Sequence, residues 1–185
     1  MKSVWIGIIV FVILAALFGV GIYNGLISKD ENVNQAWAQV DTVLQRRYDL
    51  IPNLVNTVKG YAKHEKDVFE NIARLRSQWG EAKTQETRAE AAGKMESALA
   101  RLLLVVENYP TLKADKNFMA LQDELAGTEN RIAVERRRYN DAVRDYNASV
   151  RRFPSNLFAR MMGLPKNRTY FEAAQEAKQA PKVEF

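Results

Sequence analysis

Large apolar and aromatic residues recur every seventh position between residues 115 and 153: Phe118, Leu125, Ile132, Tyr139, Tyr146 and Phe153. Leu121, Ala142, Val143 and Val150 flank them at offsets of three and four. This spacing predicts one long helix with a single apolar seam, about 58 Å long if unbroken. A helix with one narrow seam must lay it against other helices, so the pattern predicts a bundle. A second seam steps by four and three through Val33, Trp37, Val40, Leu44, Arg47, Ile51, Leu54, Val58 and Tyr61, with only Arg47 charged. The stepping continues through Glu65, Val68, Ile72, Leu75 and Trp79. Phase alone would allow one helix of about 70 Å over residues 33–79. Against that stand Gly60, which can end a helix, and Asp67 with Glu70, which can cap a fresh one. We expect a break or sharp bend between residues 60 and 67. Pro52 lies inside the seam and is expected to kink the helix or loosen one turn.

Thr87 and Glu90 form a capping-box pattern. Met95, Leu99, Leu102, Val106 and Tyr109 then mark a helix of about 22 residues ending at Tyr109-Pro110, because a residue before proline avoids the helical region. Asp115 suits the N-cap of the long helix, which is expected to stop at Phe153-Pro154. Ser155 is expected to cap a short helix over residues 156–162, before Gly163. Residues 164–185 are mixed in character and are expected to lie along the surface or to be partly loose.

The start of the chain has a different pattern. Residues 4–23 are uncharged, and the uncharged run extends over residues 3–28. That is long enough to cross a hydrocarbon core of about 30 Å. A cleaved signal peptide has a shorter apolar core, about 7–15 residues, and then a small-residue cleavage site. Here the run ends in Tyr23-Asn24-Gly25-Leu26, so we expect a retained anchor, with Trp5 and Tyr23 near its two ends. Gly21 and Gly25 form a GxxxG, and Ala15 and Gly19 share that spacing. Small residues so placed let two membrane helices approach, although the pattern also arises by chance in apolar runs. Lys2 before the span and Lys29 after it leave the sidedness open. A very short positive tail usually stays in the cytoplasm, which favours an extracytoplasmic domain.

The expected fold is all-α: an up-and-down antiparallel helical bundle of four helices, alternatively three, on an N-terminal transmembrane helix. The division is 1–28 membrane anchor, 29–163 bundle and 164–185 C-terminal tail. A single-pass membrane protein is the expected setting.

Chemistry changes this picture little. The 185 residues include no cysteine, which removes disulfides and thiolate metal sites. His64 is the sole histidine and lacks the HExxH spacing, so no metal site is expected. No phosphate-binding glycine loop or GxSxG elbow occurs, and the carboxylates are spread as helix surface. No enzyme activity, catalytic residue or cofactor is therefore expected, with an enzymatic or ligand-binding bundle as a remote alternative. The net charge is +5, from 27 Lys and Arg against 22 Asp and Glu, interspersed as in a solvated helical surface. Nucleic acid is not an expected partner, because no groove-reading element is present.

Five features could serve as contacts. Arg46, Arg47 and Asp49 flank the seam just before Pro52, and a buried Arg47 would need an acidic partner. Their alternative role is an anion or partner site beside the kink. Arg136, Arg137, Arg138, Arg144, Arg151 and Arg152 form the densest basic run, readable as a solvated face or as a contact for anionic lipid. Bundle parity bears on this: four helices return Arg151 and Arg152 towards the bilayer, three do not. Tyr139-Asn140 and Tyr146-Asn147 repeat at seven, and buried tyrosines need hydroxyl partners. Gly21 and Gly25 are the candidates for anchor self-association. The tail Pro181-Lys182-Val183-Glu184-Phe185 could add to a partner's sheet edge, with Phe185 leading, or dock on its own bundle.

Several blocks together resemble the LemA family. They are RRYDLIPNLV at residues 46–55, VKGYAKHE at 58–65, ENYPTLKA at 107–114, TENRIAVERRRYNDAV at 128–143, DYNASVRRFP at 145–154 and PKVEF at 181–185. The resemblance covers nearly the whole chain; the segment in the 80s is the least distinctive. It implies a bacterial membrane-anchored helical bundle in a family with no settled biochemical activity, some of whose members are linked to membrane-compartment biogenesis or envelope processes. The expected function is a non-enzymatic scaffold or adaptor of the envelope, acting through self-association or other envelope proteins. The alternative is a membrane-organising protein that holds anionic lipid of the bilayer through its basic helix.

Overall fold

A computed structural model describes residues 2–171. Among them are six helices and no strand: α1 (Lys2–Tyr61), α2 (Lys66–Glu81), α3 (Gln85–Val106), α4 (Pro110–Lys113), α5 (Lys116–Arg151) and α6 (Ser155–Met161). The fold is all-α. Helices α2, α3 and α5, and α1 from Val33 onward, correspond to the four predicted from periodicity, and α1 also takes in the apolar start of the chain; α4 and α6 are short.

Helix α1 is 60 residues long and passes through Pro52 without interruption. It ends at Tyr61, and α2 starts at Lys66, so the expected break after Gly60 is present. The N-cap of α5 is Asp115, whose Oδ1 accepts from the backbone N–H groups of Asn117 at 2.9 Å and Phe118 at 3.0 Å. Three local expectations are corrected. The capping box of α3 is made by Thr84 and Thr87 rather than Thr87 and Glu90, since a threonine hydroxyl can both accept and donate. Ser155 opens α6 as its first residue, and Pro154 holds the cap position without a side-chain bond. Phe153 lies beyond the end of α5 and is 80% exposed, because the helical phase that buries Phe118, Ile132, Tyr139 and Tyr146 has stopped at Arg151.

The chain folds as two compact units. The first comprises Met1–Ala38 and Arg137–Tyr170. Leu26 and Val33 of α1 and Tyr139, Val143, Tyr146 and Val150 of α5 are buried in it. Trp37 meets Tyr139 edge-on, with centroids 5.5 Å apart. The tyrosines find their hydroxyl partners in the segment that follows α6. Tyr139 donates to the Thr169 carbonyl at 2.9 Å and Tyr146 to the Pro165 carbonyl at 2.7 Å. Asn147 is buried and pairs twice with the Arg168 backbone, at 3.0 and 2.7 Å. Residues 165–169 are thus held on α5 by three polar side chains that a purely apolar seam would lack.

The second unit comprises Gln39–Arg136 and, of the described residues, Phe171. Its core takes Val40, Leu44, Ile51, Leu54 and Val58 from α1, Phe69, Ile72, Leu75 and Trp79 from α2, Met95, Leu99, Leu102 and Val106 from α3, and Phe118 and Ile132 from α5. Ala62 takes the buried place at the end of α1, while Tyr61 is 42% exposed and donates to Asp115 Oδ2 at 3.0 Å. Its hydroxyl gives it a solvent-facing partner that the apolar stepping did not anticipate.

Candidate membrane-facing and partner-facing surfaces

In the second unit, most candidate arginines are engaged by carboxylates. Arg46 reaches Glu124 at 3.0 Å, with both side chains substantially exposed. Arg47 is 11% exposed and pairs with Glu129 of α5. A near-buried guanidinium needs such a partner, so this pair ties α1 to α5 and fixes their register. Asp49 accepts from Gln45 at 2.8 Å. Arg88 pairs with Asp41 and stacks over the Trp79 ring at 5.1 Å, while Trp79 lies on Tyr48. Tyr48 donates to the Ala91 carbonyl at 3.2 Å, and burial pushes its hydroxyl pKa up. Arg136 reaches Glu96 at 3.4 Å and lies 4.4 Å over the Phe171 ring. Arg47 and Arg136 are thus largely covered and paired within the fold, whereas Arg46 holds its carboxylate at the surface. His64 is exposed, and no group of three His, Cys, Asp or Glu among the described residues could hold a metal.

In the first unit, Arg137 and Arg138 are exposed on α5, and Arg144 reaches Asp141 at 2.9 Å. Arg151 holds the Asn167 side-chain oxygen at 2.9 and 3.3 Å, and Arg152 is exposed. Arg168 is anchored on Asp30 of α1.

The start of α1 is apolar enough, and its helix long enough, to cross a membrane: its most apolar 18-residue window has a mean hydropathy of 2.8 and no buried residue. Gly21 and Gly25 are open, with no atom within 4 Å of where a Cβ would stand. Gly19 is covered: a Cβ there would lie 3.1 Å from Cε1 of Phe158 in α6. The Ala15–Gly19 pair is thus partly occupied from within the chain, whereas the Gly21–Gly25 pair is bare. Phe185 lies outside the described residues.

The sequence reading missed the surroundings of α6. Leu157, Met161 and Met162 are exposed beside Phe153. Arg151, Arg160 and Lys166 line an open cleft of about 450 Å³ together with Asn156 and Asn167. The signal was available: no acidic residue occurs from Tyr146 to Phe171, while Arg151, Arg152, Arg160, Lys166 and Arg168 do. The arginines of α5 form one run in sequence, which masks the difference: those before residue 145 have acids nearby and those after it do not.

The sequence pattern of the LemA family matches residues 36–185. Magnetosome proteins MamQ 1 and MamQ 2 of Paramagnetospirillum magneticum are each 27% identical over 176 positions, covering 81% of this chain and 64% of theirs. MamQ of Magnetospirillum gryphiswaldense is 23% identical over 176 positions, covering 81% of this chain and 65% of its own. Protein LemA of Metamycoplasma hominis is 25% identical over 157 positions, covering 84% of this chain and 71% of its own. The chain thus spans somewhat under two thirds of the length of the MamQ relatives it matches.

Proposed function

Because this chain belongs to the LemA family, we propose that it is a single-pass membrane scaffold of the bacterial envelope, which displays a helical bundle for self-association or for binding other envelope proteins. The observation that carries this reading is the continuity of α1. One uninterrupted 60-residue helix supplies both the apolar span and the core residues Val33, Val40, Leu44, Ile51, Leu54 and Val58. No loop separates the anchor from the bundle, as suits a protein that displays a folded surface at a membrane. The relatives carry names, magnetosome protein and LemA, that state no catalysed reaction. The bare Gly21–Gly25 edge supports assembly through the anchor.

The test is the particle mass of the full-length protein in nanodiscs of increasing protein content, beside crosslinking from bundle positions in native membranes. A discrete oligomer, or a reproducible crosslinked partner at bundle positions, is the expected outcome. A monomer with no crosslinked product would overturn the reading. Gly21→Leu separates the two routes, since it blocks assembly through the anchor and leaves the bundle surface intact.

The second reading, a direct hold on anionic lipid, is supported by the acid-free segment that ends α5 and contains α6.

A further inference from the structure

The anchor and α6 meet at Gly19. The Phe158 ring stands where a Cβ at Gly19 would lie 3.1 Å from it. Gly19 is four residues before Tyr23, about 6 Å along the helix axis, inside the apolar span. An amphipathic helix at a bilayer surface buries its apolar side about 5–10 Å into the boundary between headgroups and acyl chains. If residues 4–23 span the bilayer, Phe158 lies at that depth.

The rest of α6 matches the same environment. Phe153, Leu157 and Met161 follow one another at intervals of four and are 80%, 49% and 83% exposed, and Met162 beside them is 41% exposed. Such a cluster is costly in water and ordinary against lipid. Ala159 is buried, which leaves this apolar edge turned away from the protein. Gly163, at φ 68°, ends the helix in a left-handed turn that few other residues adopt readily, and Leu164 N–H closes it on the Ala159 carbonyl at 3.0 Å. That turn brings Lys166 and Asn167 to the cleft lined by Arg151 and Arg160. Among the described residues no carboxylate pairs with Arg152, Arg160 or Lys166, and Arg151 is held by an amide oxygen.

We propose that α6 is an interfacial foot: it lies in the leaflet from which α1 emerges, sets Leu157, Met161 and Met162 and the preceding Phe153 among acyl chains, and holds phosphates of anionic phospholipid with Arg151, Arg160 and Lys166. This rests on the reading of residues 4–23 as a membrane span. A phosphate in the cleft meets several cations at once, while the apolar edge beside it selects a phosphate that carries acyl chains. The foot sets the depth and rotation of α1, because Phe158 packs on one face of that helix.

The absence of cysteine permits clean single-site labelling of the full chain. Leu157→Cys and Met161→Cys are nitroxide-labelled in nanodiscs of phosphatidylglycerol and phosphatidylcholine, and depth is read from the ratio of oxygen to nickel-chelate collision rates. Ile13→Cys, in the middle of the span, is the control. The proposal expects a deep Ile13→Cys and labels at 157 and 161 just below the phosphates. A deep control with aqueous labels at 157 and 161 overturns the foot and leaves the anchor standing. An aqueous control overturns the anchor reading itself. In the second arm, spin-labelled phosphatidylglycerol and phosphatidylcholine compete for the full-length protein. Arg160→Gln with Lys166→Gln is expected to lower the preference for phosphatidylglycerol by about fivefold per cation removed. An unchanged preference overturns the phosphate contact, as does equal displacement of labelled phosphatidylglycerol by soluble glycerol phosphate, which would mark a site for free phosphate.

Discussion

Arg168 donates to Asp30 Oδ1 from Nε at 2.9 Å and from Nη2 at 2.7 Å. The two residues are 138 positions apart in sequence, and their side chains are only 24% and 20% exposed. Nη2 also reaches Asn34 Oδ1 at 3.3 Å, while the Arg168 backbone N–H is held by Asn147. One arginine thus fastens the segment after α6 to both α1 and α5. Arg168→Ala is expected to lower the unfolding free energy by about 1.5–3 kcal/mol, as for hydrogen bonds to a charged group. Urea unfolding of the full chain in mild detergent measures this. A double-mutant cycle with Asp30→Asn should show strong coupling; simple additivity would refute the contact.

Ile132 and Phe153 share a heptad phase but not an environment. Ile132 is fully buried and Phe153 is 80% exposed. Ile132→Ala is expected to cost about 2–5 kcal/mol through lost core volume. Phe153→Ala is expected to stay within about 0.5 kcal/mol in the same unfolding assay. Equal effects would place both on the core seam and contradict the end of α5 at Arg151.

Trp79 lies on Tyr48 with centroids 4.0 Å apart and ring planes 18° from parallel. Trp79→Ala is expected to cost about 3–5 kcal/mol. Trp79→Phe preserves a stacked ring and should recover most of that, leaving a loss of about 1 kcal/mol. Thermal midpoints of the two variants check the order, and a reversal would show that stacking contributes nothing.

Asp115 gives the chain an acid-sensitive cap. The Phe118 N–H, the Tyr61 hydroxyl and the Asn117 N–H hold its carboxyl below the usual carboxylate range, and the same Asp115 hydrogen bond raises the Tyr61 pKa. A carboxyl whose pKa falls on folding stabilises the fold fully above its unfolded pKa, about 4, and loses that contribution as pH falls through its lower folded value. Asp115→Asn is therefore expected to be less stable than the parent near neutral pH, with the gap closing in acid. Urea midpoints taken from about pH 7 down to about pH 3 check this; a gap independent of pH would contradict it.

The four long helices were legible because each carries an apolar stripe at helical period, and Gly60, Pro110 and Pro154 punctuate them. The Arg47 pair was legible too, since a charge on a seam demands a partner. What the stripe could not convey was which polar groups meet across long separations. Arg168 with Asp30, and Tyr146 with the Pro165 carbonyl, depend on a chain reversal after α6 that has no periodicity of its own. Phe153 keeps the heptad spacing but falls two residues past the last helical residue, Arg151, so spacing alone places it wrongly on the seam. The character of α6 was overlooked because seven residues are too few for a periodic signal.

One unbroken helix carries both the apolar stretch at the start of the chain and the first buried core residues. Single-cysteine nitroxide labels placed one at a time over residues 23–40 of the cysteine-free chain test it most directly, with mobility and accessibility read in nanodiscs. The expected result is an oscillation with a period of about 3.6 residues that keeps its phase through Ser28, Lys29 and Asp30, with minima at Leu26, Val33 and Val40. A stretch of uniformly mobile labels after Ser28, or a phase break there, would show a hinge at that point in place of a continuous helix.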